Sequence, residues 1–235
     1  MQPAQRIVLT FLCCVSLAVA AYGAVPDRTP IRDPTRRTST HVYNYVELRN
    51  RNIVMQRRDY SCGAACLATL VRYYWGDKVT EDLFLRALDE LLTTEEIEDR
   101  IENGLAMSDL RRAAVKVGYH AVVGKISLYK LQEAKVPLIV GVSPEGHDHF
   151  VVFRGLDGDW AYLADPIRGN IRIPIGEFAD QWQENAVLAI HKPGYKVREI
   201  SPLSLQWDEV RRGELNRHVI RTQPQRQPAR PDQLP

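Results

Sequence analysis

The spacing of apolar positions changes about half-way along the chain. In the first half they recur every three or four residues, a pattern typical of amphipathic helices. This pattern predicts helices at 62–75, 80–92, 94–103 and 108–117. The second half carries short β-branched runs separated by turn residues, which is typical of strands. Helices first and an antiparallel sheet second predict an α+β fold.

The strand-like runs lie at 119–123, 136–142, 150–154, 160–163, 171–173 and 187–190, with a short helix at 127–134. Asp157 and Gly158 separate two of these runs and predict a hairpin turn. Alternating residues at 43–55 predict one or two further strands at the entrance of the domain. Thr80 and Ser108 are the expected caps of two helices, and Gly76 is expected to end the helix that begins at residue 62.

Composition divides the 235 residues into five parts. Arg6, an apolar run and small residues up to Ala24 predict a secretory signal peptide over residues 1–24. An uncleaved membrane anchor is the alternative, although the run is short for a span. Residues 25–42 are predicted to be a flexible lead, 43–195 the folded domain, 196–220 a C-terminal helical extension and 221–235 a disordered tail. We therefore expect an exported, periplasmic protein with no membrane span in the mature chain.

The formal net charge of +2 gives no reason to expect binding to nucleic acid or to a membrane surface. No Gly-x4-Gly-Lys-Ser/Thr phosphate loop occurs in the sequence, and no cofactor is predicted. If the signal peptide is removed, Cys62 and Cys66 are the remaining cysteines. They lie four residues apart on one predicted helix, an awkward geometry for a disulfide.

Cys62 is the candidate nucleophile. It is predicted to lie in the first turn of a helix, where the positive end of the helix dipole favours thiolate over thiol. Gln56 stands six residues upstream, where its side-chain amide could face the same point. That amide and the Cys62 backbone N–H are the two donors that an oxyanion hole needs. Cys66, one turn further along, is interpreted as a small buried residue.

The Gln-x5-Cys spacing, with the cysteine after Asp-Tyr-Ser and before Gly-Ala-Ala, resembles the bacteriocin-processing, double-glycine cysteine peptidases of family C39. These are papain-like enzymes, often fused to peptide-exporting ABC transporters. The family has a His that opens a strand and an Asp shortly after it. His149 in HDHFVVFRG and Asp165 in AYLADPIRGN match this order, and the resemblance covers residues 52–191.

The resemblance implies a papain-like fold and a cysteine endopeptidase with the catalytic residues Cys62, His149, Asp165 and Gln56. It also implies an exported peptide or protein substrate, with cleavage of a leader after paired glycines as one possibility. The chain resembles the stand-alone exported members found beside secretion systems, including those of functional amyloids, which lack transporter domains.

The predicted strands give His149 and Asp165 an independent reason to meet. If the runs on either side of the Asp157–Gly158 turn pair about a centre near residue 157, residue 149 lies opposite residue 165. Asp165 would then fix the tautomer of His149 and favour its charged form. Pro166 restricts Asp165 to extended geometry.

Three other hypotheses remain open from the sequence. Cys62, Cys66, His147 and His149 form a zinc-compatible set, although this hypothesis leaves the Gln and the Asp without a role. A papain-like domain could also bind a secreted peptide without cutting it. Finally, an amidase or a transglutaminase-like crosslinker needs the same Cys-His-Asp triad.

Overall fold

The computed structural model describes residues 29–32, 37–40, 44–207 and 209–210. The predicted signal peptide and the predicted tail lie outside the described residues, as do residues 208 and 211–220 of the predicted C-terminal helical extension. Residues 196–206 of that extension are not helical, so the prediction is wrong for this part. The chain divides into two compact units, Met1–Glu47 and Leu48–Pro235. In the described part of the chain, no helix has both the length and the hydropathy that a bilayer span requires.

In the first unit, strands β1 (Thr29–Arg32) and β2 (Arg37–Thr40) pair antiparallel. They lie within the segment for which the sequence predicts a flexible lead. Helix α1 (Tyr45–Arg49) follows, so the prediction of strands at 43–55 is wrong. The reason is a reciprocal cap, because the Asn44 N–H donates to the Glu47 carboxylate and the Glu47 N–H donates to Asn44 Oδ1.

The second unit begins with four helical segments. Helix α2 (Cys62–Leu70) continues as a π-helical turn (Val71–Trp75) and ends at Gly76 in the left-handed region, as predicted. The next three helices are α3 (Glu81–Asp89), α4 (Thr94–Asn103) and α5 (Met107–Lys116). Every residue of α2 after Cys62 is buried, which makes it the central helix of the domain.

The N-cap of helix α5 lies two residues earlier than the predicted Ser108 cap. Ala106 is its N-cap residue, and the Ala106 N–H donates to Asp109 Oδ2 at 3.0 Å. The buried Asp109 carboxylate therefore satisfies the exposed start of the helix, and Ser108 lies inside it. The predicted Ser108 cap is wrong.

A six-stranded antiparallel sheet, in the order β3-β8-β4-β5-β6-β7, completes the domain. The strands are β3 (His120–Lys125), β4 (Leu138–Val142), β5 (His149–Asp157), β6 (Trp160–Asp165), β7 (Gly169–Pro174) and β8 (Trp182–His191). Two short helices, α6 (Leu128–Gln132) and α7 (Ile175–Gln181), lie between strands. The first was predicted and the second was not. The mixture of helices and antiparallel sheet confirms the predicted α+β fold.

The sheet separates two hydrophobic cores. One face contributes residues such as Ile139 and Val152 to a core that also contains buried residues of α2, α3 and α5. The other carries Leu163 against Phe178 of α7 and Trp182. Alternate residues of each strand face opposite sides, so each central strand contributes to both cores. The sheet and the buried helix α2 carry the residues of the candidate site.

Candidate active site

A tight turn sets the start of helix α2. The fully buried Ser61 donates to the Arg58 carbonyl from both its backbone N–H, at 3.1 Å, and its Oγ, at 2.8 Å. The Arg58 N–H donates back to Ser61 Oγ at 3.2 Å. Cys62 is therefore the first residue of the helix, and its backbone N–H has no partner within the helix. Its side chain is partly exposed, as a nucleophile requires.

Gln56 lies between this turn and the end of strand β6. Its backbone N–H donates to the Pro166 carbonyl at 2.9 Å, and its side-chain Nε2 donates to the Arg58 carbonyl at 3.1 Å. The same carbonyl holds Ser61, so the amide is fixed to the turn that precedes Cys62. An amide nitrogen carries two hydrogens, and one N–H remains for another acceptor. The buried Gln56 Oε1 has no partner among the described residues.

His149 contacts both of its predicted partners. Its Nε2 lies 3.0 Å from Asp165 Oδ1, and the side chain of Cys62 is close enough to the ring to interact with its charge. Because Nε2 faces the carboxylate, Nδ1 is the nitrogen left for the thiol. Burial lowers the pKa of His149, but the hydrogen bonds and charges of Asp165 and Cys62 outweigh it and raise that pKa to about 9.

Asp165 is completely buried, and both of its carboxylate oxygens accept hydrogen bonds. Besides His149, its Oδ1 accepts from the N–H groups of Ile167 at 2.7 Å and Arg168 at 3.0 Å. Its Oδ2 accepts from Arg168 Nε at 2.7 Å. Burial alone would raise the pKa of the carboxyl, but the bonds with His149 and Arg168 hold that pKa well below its usual range. Asp165 is therefore a fixed negative charge behind the imidazole.

Sequence reasoning missed Arg168. Its guanidinium orients the carboxylate oxygen that His149 does not use, and nearly half of its side chain is exposed at the rim of the site. The signal available was the Asp-Pro dipeptide, because an Asp side chain often accepts from the N–H groups two and three residues on. Nothing in the sequence specified that the Arg side chain folds back onto the same carboxylate.

The β5–β6 hairpin brings His149 and Asp165 to one end, although its register differs from the predicted one. Gly158 and Asp159 form the turn, one residue later than predicted, and Asp157 pairs with Trp160. After a bulge at residue 154 the register places Val152 opposite Ala164. Residue 151 is then the partner of Asp165. His149 lies two residues beyond it, on the same face, within reach of a diagonal contact.

Cys66 is fully buried, as interpreted from the sequence. Its Sγ donates to the Phe150 carbonyl at 3.3 Å, so it joins α2 to the start of the strand that carries His149. Burial, together with the charges of Cys62 and Asp165, raises the pKa of the Cys66 thiol well above its usual value. A protonated thiol in this position acts as a packing residue and a weak donor.

The zinc hypothesis fits this geometry poorly. His147 lies in an exposed loop after β4, and Cys66 is bonded to a backbone carbonyl. Over the ranges that the structure describes, no three His, Cys, Asp or Glu side chains are grouped to hold a metal ion.

The sequence and the fold both match known peptidases. Residues 50–194 match the model of the peptidase C39 family. The chain is 35% identical over 154 residues to a protein named "Probable functional amyloid protease FapD" from Pseudomonas fluorescens, covering 63% of this chain and 64% of that protein. It is 32% identical over 154 residues to the protein of the same name from Pseudomonas aeruginosa, covering 66% of each. The chain thus spans slightly less than two thirds of the length of these relatives.

Among solved structures, the peptidase domain of Streptococcus ComA superposes with a TM-score of 0.50 at 18% identity. The match covers 60% of this chain and 97% of that domain. It confirms the papain-like peptidase fold that the resemblance implies.

Proposed function

The chain belongs to the peptidase C39 family, and from that premise we propose that it is a cysteine endopeptidase with Cys62 as nucleophile. One observation carries the proposal: the His149 ring bonds Asp165 through Nε2 and also interacts with the nearby Cys62 side chain. These three groups lie on α2, β5 and β6, which the fold holds rigidly. A thiol, an imidazole and a buried carboxylate in this order form the relay that acyl transfer requires.

The first chemical step is attack by sulfur on a peptide carbonyl carbon. His149 takes the thiol proton, and the thiolate adds to the carbonyl to give a tetrahedral intermediate. Its oxyanion accepts from the Cys62 N–H and from the second N–H of Gln56 Nε2. The C–N bond then breaks as the imidazolium gives its proton to the departing amine, and a thioester remains.

Water completes the cycle. With the amine gone, neutral His149 removes a proton from a water molecule, which attacks the thioester carbonyl. The C–S bond breaks, the imidazolium returns its proton to the departing sulfur, and the acid is released. Asp165 stabilises the imidazolium in both half-reactions, because it is a buried, ionised carboxylate held by Arg168 and two backbone N–H groups.

We propose an exported peptide or protein as the substrate, and a component of a functional amyloid system as its first candidate. The name of the two Pseudomonas relatives supports the functional amyloid system as the source of the substrate. An apolar pocket between α3 and α4 supports recognition of apolar substrate side chains, because Tyr60, two residues before Cys62, forms part of its wall. Its other apolar lining residues are Leu85, Leu88, Leu92, Ile97, Ile101 and Leu105.

The test combines cleavage with labelling. The purified chain is incubated with synthetic peptides that contain a paired glycine, and with matched peptides in which both glycines are replaced by alanine. The masses of the products are measured by mass spectrometry. Wild type should cleave, and Cys62→Ala and His149→Ala should not. In parallel, iodoacetamide should alkylate Cys62 rapidly at mildly acidic pH in wild type and slowly in His149→Ala.

Slow labelling that is independent of His149 would overturn the enzyme proposal in favour of a binding module. Transfer of the acyl group to an added amine, with little hydrolysis, would instead identify an acyltransferase. Cleavage of both peptide sets would retain the peptidase and reject the paired-glycine preference.

A further inference from the structure

The guanidinium of Arg154 is buried in the middle of the hairpin that carries the site. Only 4% of its side chain is exposed. Its Nε donates to the Leu203 carbonyl at 2.9 Å, and Nη2 donates to the Ser204 carbonyl at 3.3 Å. Both Nη atoms lie 2.9 Å from the carboxylate of Glu209. These acceptors lie about fifty residues away along the chain.

The acceptors on Leu203, Ser204 and Glu209 lie beyond the family match, which ends at residue 194. They are nevertheless part of the folded domain. Leu203 is 1% exposed and belongs to the core that packs on α2. The Pro202 carbonyl accepts from Asn52 Nδ2 at 2.9 Å, and the side chain of Leu205 packs near Gly155. We call the described residues between 201 and 209 the C-terminal clasp.

Arg154 is also the extra residue of the β-bulge in β5. Phe153 pairs with Leu163 and Gly155 pairs with Tyr162, so residue 154 has no partner on β6. Nη1 of Arg154 donates to Asn170 Oδ1 on β7 at 2.6 Å, which ties the bulge to the strand on the other side of β6. The bulge therefore lies at the point where the clasp and the sheet meet.

The bulge decides which face His149 occupies. Without it, the register set by the Asp157–Trp160 pair would continue and place Asp165 opposite residue 152. His149 lies three residues from 152, so its side chain would face the opposite side of the sheet. With the bulge, Asp165 faces residue 151, and His149 lies two residues away on the same face.

We propose that Arg154 is a positioning residue for the His149–Asp165 pair, and that the C-terminal clasp holds it there. The proposal rests on the peptidase function proposed above. A buried guanidinium without acceptors is strongly unfavourable. The clasp supplies most of the acceptors, and they bond the guanidinium of a residue that stands out of the β5–β6 ladder. The clasp thus favours the bulged register over the regular one.

The test uses the full chain with two variants and two matched controls. Arg154→Met removes the guanidinium and keeps the length, and Glu209→Gln removes only the charge that the clasp supplies. The controls Lys125→Met and Glu184→Gln remove the exposed ion pair between β3 and β8, far from β6 in the strand order. Each protein is examined by its melting curve, by kcat and KM on a cleaved peptide, and by the NMR titration of the His149 ring.

We expect Arg154→Met to lower kcat by about a hundredfold, the scale expected for a displacement of about 1 Å, with KM changed less than about threefold. The His149 pKa should fall, because contact with Asp165 is weakened while Cys62 and burial remain. Glu209→Gln should shift kcat and the His149 pKa in the same directions by smaller amounts, about three- to tenfold in kcat. The two control variants should match wild type.

A purely structural role would lower the melting temperature and leave both kcat and the His149 pKa at wild-type values, and that result would overturn the proposal. If Arg154→Met does not fold, Glu209→Gln decides alone, since it keeps Arg154 and its neutral acceptors. Wild type that neither cleaves peptide nor shows His149-dependent labelling would refute the peptidase function. The His149 titration in the variants would still report on the positioning role.

Discussion

Replacing Asp165 by Asn tests the electrostatic half of the proposed triad without removing its geometry. The amide is isosteric with the carboxylate, and its Oδ1 can still accept from His149 Nε2 and from the backbone N–H groups of Ile167 and Arg168. What is lost is the negative charge. The Arg168 guanidinium, now 2.7 Å from a neutral group, would be unpaired at the same position.

The size of the effect follows from the pKa of His149. That pKa is raised from 6.5 to about 9. Asp165 supplies the largest of the contributions that raise it, and Cys62 supplies the rest. A carboxylate in contact typically accounts for about 1 to 3 units. We therefore expect the pKa of His149 to fall by about 1 to 2 units in Asp165→Asn.

The assay is the titration of ring carbons in protein labelled at histidine. The chain has six histidines, and the His149 signal is identified by its loss in His149→Ala. The matched control is Asp148→Asn, which removes the same charge from an exposed residue next to His149 in sequence. That control should leave the titration within about 0.3 units of wild type, because exposed charges are well screened.

Turnover provides the second measurement. General acid–base catalysis contributes about 10²- to 10⁴-fold, and Asn can still orient the ring, so Asp165→Asn should lower kcat by no more than about a hundredfold at pH 7. Cys62→Ala and His149→Ala should lower it much further. A folded Asp165→Asn protein with an unchanged His149 pKa would refute the electrostatic reasoning. Equal loss of activity in all three variants would show that Asp165 has another role.

Three further predictions concern the same site. Gln56→Ala should lower kcat by about a hundredfold with little change in KM, because its amide acts on the developing oxyanion; a change confined to KM would contradict this. Cys66 should stay unlabelled by iodoacetamide in the folded protein while Cys62 reacts, and Cys66→Ser should keep most of the activity. Labelling is read by peptide mass mapping, and labelling of both thiols would contradict the buried position of Cys66. The melting temperature of wild type should exceed that of Asp165→Asn most between about pH 4 and 6.5. The raised His149 pKa stabilises the fold fully below 6.5 and loses this effect as pH rises through about 9, while the lowered Asp165 pKa stabilises it only above about 3.8. An equal difference at pH 5 and pH 10 would contradict the linkage.

Much of the fold was predictable because its signals are local. The apolar period of residues 62–75 and Gly76 defined helix α2, whose start and end depend on neighbours within one turn. The hairpin between β5 and β6 follows from a Gly turn between two β-branched runs, and it was placed within one residue. Where a nearby side chain supplied an unexpected cap, as Asp109 does for α5, the boundary was missed.

The candidate site was only partly predictable. The positions of Cys62 at a helix start and His149 at a strand start are local properties, and the structure shows both. The contact between Gln56 and the Pro166 carbonyl joins segments 110 residues apart, and no periodicity encodes it. The same is true of the bond from Arg168 to Asp165, because an exposed Arg has many rotamers and the partner that it selects depends on the folded surroundings.

The contact between His149 and Asp165 shows most clearly what the sequence determined and what the tertiary structure decided. The sequence determined that the two strands form a hairpin, and therefore that both residues lie at the same end. Tertiary structure decided that they share a face, through the single extra residue at position 154. A strand pattern of period two does not encode such an insertion, because the contacts that accompany the bulge lie outside the strand: the Arg154 guanidinium bonds acceptors about fifty residues later in the chain.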